Sequence, residues 1–297
     1  MQSKMNIQKN ISKIILGTAQ MGLDYGVNNR NGMINPSDSF KILELAFLKG
    51  IEYLDCAESY GDIHKTIGMF KTLHPKKEFK INTKLSSFNT KKNSFFKIDK
   101  FLSDLKIKQI NSLMFHSYSM YKKNIDHLRD YKSMKEDGII NNIGVSVYTN
   151  QEIKKLINDD NIDLIQIPFN LLDSSREKLD LIKEAKTCGK IIQARSIFLQ
   201  GLFFKNPEDN DTILKELNNE ILAIKAISDR YKIPLNEMAL NYVLSYDCID
   251  YVVLGVDNLI HLKKNIMALD KSLDKKIIDE INLINTKHKT LLNPSNW

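Results

Sequence analysis

Asp55-Cys-Ala-Glu-Ser-Tyr60-Gly61 follows directly on the apolar run Ile51–Leu54, and three later segments repeat that arrangement. Asn82-Thr-Lys84 ends the run Phe79–Ile81, Met114-Phe-His116 ends Ser112–Phe115, and Ile143-Gly-Val-Ser146 ends Asn142–Val145. Short apolar runs bounded by polar turns predict buried strands. The series therefore sets an acid, a phenol, an amine and an imidazole at consecutive strand ends.

Outward from this stretch the same alternation continues. A strand at Ile14–Leu16 precedes a helix over Ser37–Lys49, which Ser37 and Asp38 can cap and Gly50 ends. Strand Ile51–Leu54 precedes Ile63–Phe70, Phe79–Thr83 precedes Ser94–Leu105, and Ser112–Phe115 precedes Lys123–Asp137. Asn142–Val145 precedes a helix capped by Asn150 and running through Leu156, and Leu164–Pro168 precedes Ser174–Thr187. Lys190–Ala194 leads into two helices, Asp211–Tyr231 and Leu235–Ser245. Tyr251–Leu254 is the last strand, followed by Asn258–Met267 and Leu273–Thr286.

Eight strands alternating with helices at a step of roughly 25–40 residues argue for a parallel sheet. Eight such units predict a closed (β/α)8 TIM barrel, expected as a single domain over residues 1–297. An open Rossmann sheet is disfavoured. Gly17-Thr-Ala-Gln-Met-Gly22 lacks the G-x-G-x-x-G spacing and a helix directly behind it.

Composition narrows the function classes. No apolar stretch reaches the ~20 residues of a membrane span. The polar start, Met1 to Asn10, carries no signal-peptide core, so a cytoplasmic protein without a membrane role is expected. Cys56, Cys188 and Cys248 lie far apart, which predicts neither disulfides nor zinc. His64, His74, His116 and His127 show no ligand spacing with carboxylates, and no metal is expected. The net charge of +7 comes from scattered lysines; pairs such as Lys91-Lys92 and Lys275-Lys276 read as solvated faces rather than a nucleic-acid patch. A positive field does favour anionic cofactors or substrates.

In a parallel barrel the C-terminal strand ends form the active-site face. There Asp55, Tyr60, Lys84 and His116 would meet. A phenol has a reference pKa of about 10. An ammonium ~4 Å away would favour phenolate by up to ~4 kcal/mol at an effective dielectric near 20. Lysine is thus expected to make the tyrosine a usable proton donor and acceptor, with Asp55 orienting Lys84 and His116 bonding the substrate oxygen. Such a set suits protonation of a carbonyl oxygen during hydride transfer from a nicotinamide.

On these residues the chain resembles the aldo-keto reductase superfamily, from about Lys13 to Asn265. Asp55-x-Ala-x-x-Tyr60-Gly61 resembles its signature around the tyrosine, and Ile67-Gly68 resembles the glycine that follows. The resemblance implies that Tyr60 is the general acid/base, that Lys84 and Asp55 tune it, and that His116 orients the carbonyl. It also implies an NAD(P)H site, NADPH ahead of NADH. Ser146 and Gln166 would contact the nicotinamide amide, with Val147 where asparagine is common. Arg195 would replace a stacking aromatic, and Ser196 and Leu199 would lie near the pyrophosphate. Gly17 and Thr18 would line the same site, while Gly255, Asp257 and Asn265 would hold the adenosine. Asp257 argues for a ribose hydroxyl and against a 2′-phosphate.

Gly17-Thr-Ala-Gln-Met-Gly-Leu-Asp24-Tyr25-Gly26-Val-Asn28 together with Gln193-Ala-Arg195-Ser-x-Phe-Leu-Gln200-Gly201 resembles a bacterial branch linked to sugar and surface-polysaccharide pathways. That implies a small carbonyl substrate such as a sugar or nucleotide-sugar, and a monomer or homodimer. The polar loop Asp24–Asn31 and Arg195 suit a hydroxylated or anionic substrate. Two other functions use the same residues: a sugar epimerase or eliminase with tightly bound NAD(P), and a nucleotide-binding regulatory subunit with negligible turnover.

Overall fold

The structure is a computed structural model and describes residues 8–86, 94–206, 208–209 and 212–297. Lys91-Lys92, Asp211 and the first seven residues, about which the sequence raised expectations, lie outside the described residues.

Eight parallel strands close into a barrel in chain order, and the expected fold is borne out. They are β1 (Ile14–Gly17), β2 (Tyr53–Asp55), β3 (Lys80–Leu85), β4 (Ile110–Phe115), β5 (Ile140–Ser146), β6 (Leu164–Pro168), β7 (Ile191–Arg195) and β8 (Tyr251–Leu254). β1 and β8 pair through Ile15 and Val253, which completes the ring. Strands buried on both faces read as continuous apolar runs, and β1 and β6 are buried at every position.

Several strand ends moved by one to two residues from their expected places, two of them at the Asp55–Lys84 corner. β2 begins at Tyr53, because the Ile51 N–H is spent on Ala46 O in the turn leaving the preceding helix. β3 extends through Lys84 to Leu85, so Lys84 sits within the ladder, in register with Met114. The helix over Lys123–Asp137 is three pieces: Tyr118–Lys123, a 3-10 turn at Ile125–His127, and Leu128–Glu136. Ser117 caps the first piece, and the Asn124 side chain bonds Met120 O where it ends. The Asp211–Tyr231 helix is likewise divided into Thr212–Glu216 and Asn218–Tyr231.

Two caps differ from expectation. Asn35, with Pro36 as the first helical residue, caps Pro36–Leu48 by accepting the Asp38 N–H. Thr149 caps Asn150–Leu156 in a box with Glu152. Both true caps lie one or two residues before the expected ones, where the backbone is still extended.

Gly17-Thr-Ala-Gln-Met-Gly22 turns out to hold a helical turn, Ala19–Gly22, that presses on the Tyr60 loop. A Cβ on Gly22 would stand 1.9 Å from Tyr60 O, and one on Gly61 would stand 2.6 Å from Gly22 O. Gly61 also has φ +55. These two glycines let the backbones touch, and that contact fixes where Tyr60 stands.

Candidate active site

Asp55 and Lys84 form a buried ion pair at the ends of neighbouring strands, their side chains 5% and 2% exposed. Burying one charge alone would cost several kcal/mol, so each holds the other in place. Gln166 donates from β6 to Asp55 Oδ1 at 2.9 Å and to Gln193 Oε1 at 3.1 Å. With its N–H groups so used, Gln166 Oε1 is left buried without a partner. Thr18 Oγ1 donates to Asp55 O at 2.9 Å and ties β1 to the same corner.

Tyr60 lies over this pair, with Lys84 Nζ 5.5 Å from its ring centroid. His116 stands edge-on to the Tyr60 ring, centroids 5.8 Å apart. The Ser86 hydroxyl reaches His116 Nδ1 at 2.8 Å, and Ser59 Oγ bonds that hydroxyl at 3.0 Å. The other ring nitrogen, Nε2, is the one left for a ligand, since His116 lines the cavity. Burial, helped by the Lys84 and Arg195 charges, pushes the His116 imidazole down to about 3. It is therefore neutral throughout the physiological range.

The phenol departs from expectation. Burial first, then the Asp55 carboxylate, raise Tyr60 far above an ordinary phenol, while Arg195 acts the other way. Lys84 bonds its charge directly to Asp55. The pair faces the phenol as a dipole, not a bare cation. Tyr60 is thus held protonated. Alkoxides are more basic than phenolate, so this proton can still pass to a carbonyl oxygen as it gains charge.

Arg195 at the end of β7 lies over the Tyr148 ring, its guanidinium carbon 4.2 Å from the ring centroid. It donates to Ser146 Oγ at 3.1 Å, Val147 O at 3.0 Å and Ser196 Oγ at 3.2 Å. Ser196 itself adopts φ +55 in the loop beyond β7, and Leu199 and Gln200 are also left-handed. Such clustered strain in non-glycine residues marks a loop whose shape is enforced by its surroundings.

Asp55, Tyr60, Lys84, His116, Gln166 and Arg195 border one cavity of about 590 Å³. It runs from Tyr60 and His116 past Gln166 and Ser146 to Gly255, Asp257 and Asn265, with Gly17 and Thr18 in its wall. Of the residues expected at the site, Leu199 alone stays out of it. Leu199 is fully buried in the hydrophobic core, so its position on the β7 loop serves packing. At the far end Asp257 meets His261 at 3.4 Å and Gln20 at 3.5 Å, and Asn265 accepts from Asn236 at 3.1 Å.

Several lining residues were not among the expected catalytic and cofactor contacts. Tyr25, Asn28 and Gln200 form a roof over the mouth, where Val27 N donates to Gln200 O at 3.0 Å. Gly201 packs so closely on this roof that an added Cβ would lie 3.1 Å from Asn28 Cβ. Tyr148, Asn236 and Ser295 complete the wall. Asn236 lies on the helix Leu235–Leu244 and the others on loops or 3-10 turns, all brought together by the closed barrel.

A closed parallel barrel with an acid, lysine, phenol and imidazole around one cavity defines a class of enzymes that handle carbonyl groups. The comparisons give its family. The model for the aldo/keto reductase family matches residues 13–286, so the chain belongs to that family and is an oxidoreductase. The resemblance seen in the sequence is borne out. Among curated relatives, the uncharacterized oxidoreductase YqkF of Bacillus subtilis is 23% identical, covering 85% of this chain and 89% of its own. A D-threo-aldose 1-dehydrogenase from a Pseudomonas species is 22% identical over 84% of this chain and 89% of its own. The fold resembles aldo-keto reductase AKR11C1 from Bacillus halodurans, solved in a holo form, with TM-score 0.75 and 18% identity over 93% and 95% of the two chains.

Proposed function

We propose that this protein is an NAD(P)H-dependent reductase of an aldehyde or ketone, with Tyr60 as general acid/base. The observation that carries this is the convergence of the protonated Tyr60 phenol, the neutral His116 ring and the buried Asp55–Lys84 pair on one cavity. His116 bonds the carbonyl oxygen and orients it. Tyr60 gives that oxygen its proton. Asp55 and Lys84 fix the polar floor beneath the phenol and keep it from drifting.

The residues fit a nicotinamide cofactor. Gln166 Oε1 is a buried acceptor without a partner, suited to a carboxamide N–H, and Ser146 lies on the adjoining strand. Ser196, Gly255, Asp257 and Asn265 would hold the remainder of the nucleotide along the cavity. When bound, the cofactor supplies the hydride. Lys264, which lines the cavity near Asp257, supports NADPH over NADH. An aldose-handling relative supports a polyhydroxylated substrate, such as a keto-sugar.

The test is Tyr60→Phe assayed with cofactor deuterated at the transferring position. Wild type should pass the label stoichiometrically to product. The variant should lose at least ~1,000-fold in kcat while its cofactor affinity stays within ~3-fold. Wild-type rates in the variant would sink the mechanism. Label kept on enzyme-bound cofactor would point instead to an internal oxidation–reduction such as epimerisation.

A further inference from the structure

Arg195 differs from the buried lysines at the same end of the barrel. Lys84 is neutralised by Asp55, and Lys178, also buried, is paired with Asp173. Among the described residues, Arg195 meets only neutral groups: two serine hydroxyls, one carbonyl oxygen and a tyrosine face. Three of its five N–H groups are used, and each terminal nitrogen keeps one. A half-buried guanidinium without a carboxylate is costly unless a ligand supplies the anion.

Its charge also points into the reacting end of the cavity. Arg195 acts on Tyr25, Tyr60 and His116, which places it in the field of the very groups that would handle the carbonyl. The contact with Tyr148 and the bonds to Ser146 and Val147 fix the guanidinium plane before any ligand arrives. A preset planar fork favours a carboxylate or phosphate held by two bonds. Asn28 and Gln200 in the roof add hydrogen-bonding groups for hydroxyls.

We propose that Arg195 is the specificity-determining anchor for an anionic group on the substrate, so that the preferred carbonyl compound carries a carboxylate or phosphate besides its hydroxyls. This rests on the reductase function above. It moves Arg195 from the expected cofactor contacts to the substrate.

Matched carbonyls separate the possibilities: 4-carboxybenzaldehyde against benzaldehyde, and glucuronate against glucose. The wild-type kcat/KM ratio, acid over neutral, should be at least ~10-fold, carried by KM. Arg195→Gln should bring that ratio below ~3-fold, and Arg195→Lys should recover part of it. A titration with NADPH and NADH runs alongside. If Arg195→Gln weakens both cofactors tenfold and leaves the acid-to-neutral ratio intact, the anion is the cofactor's phosphate and the proposal fails. If wild type reduces neutral and acidic carbonyls equally, the proposal also fails while the reductase stands. If no carbonyl is reduced, the reductase function fails. Calorimetry with 4-carboxybenzaldehyde then decides alone: binding to wild type but not to Arg195→Gln sustains the anchor, and equal binding refutes it.

Discussion

Gln166 on β6 bonds the Asp55 carboxylate on β2 at 2.9 Å, reaching across the interior of the barrel. Asp55 therefore answers to two strands at once, Lys84 from its neighbour and Gln166 from the far side. The proposed proton-transfer groups and the proposed nicotinamide contact share one carboxylate. Disturbing either is expected to be felt by the other.

Lys84→Met should be the most destabilising single change in the site. It strands Asp55 in a buried position, and removing one partner of such a pair costs ~3–5 kcal/mol. Adding Asp55→Asn should restore most of the lost stability without restoring turnover. Urea denaturation of the two variants and wild type checks this. A loss under ~1 kcal/mol in Lys84→Met would show that the pair does not hold the site together.

Gln166→Leu should weaken NADPH binding by ~10-fold, the worth of one good buried hydrogen bond. Binding of 2′-phospho-ADP-ribose, which lacks the nicotinamide, should change by less than ~2-fold. Fluorescence titration gives both constants. Equal losses for the two ligands would mean that Gln166 acts only through general disorder of the barrel.

His64 and His116 predict acid sensitivity. Burial pushes His64 down to about 4 and His116 down to about 3, both from an ordinary value of 6.5. Below pH 6.5 the unfolded chain takes up these protons before the native state does. Stability is then complete above about pH 6.5 and falls as pH drops toward 4 and 3, by at most ~1.4 kcal/mol per unit for each ring. His64→Gln should flatten that slope in thermal melts between pH 7 and 4. Since His116 stays neutral, kcat should show no imidazole inflection between pH 5 and 8.

Asp257→Ser should shift cofactor choice. A carboxylate near a 2′-phosphate repels it, and removing that charge should raise the NADPH-to-NADH ratio of kcat/KM by ~5–10-fold. Lys264→Ala should move the ratio the opposite way. Steady-state kinetics with both cofactors reads the change. An unchanged ratio in both variants would remove these residues from the ribose end.

The barrel was legible because buried parallel strands carry unbroken apolar runs, and β6 and β8 fall on the expected residues. Helix ends were less legible. Asn35 and Thr149 act from outside the apolar periodicity, and the break at Asn124 depends on a side-chain bond that periodicity does not encode. Asp55, Tyr60, Lys84 and His116 could be read because each marks a strand end. The direction of Tyr60's shift could not. It depends on the burial of the phenol and on the Asp55 carboxylate near it, matters of contact rather than order along the chain. Tyr148 was missed for the same reason.

The clasp between Val27 N and Gln200 O joins the loops after β1 and β7 by main chain alone. Such a clasp is indifferent to which side chains the loops carry. Tyr25, Asn28 and Gln200 can therefore be exchanged without unfastening the covering they form. Selection is free to retailor what the enzyme admits while the chemistry below is left alone, and the ceiling of the chamber becomes its most evolvable part.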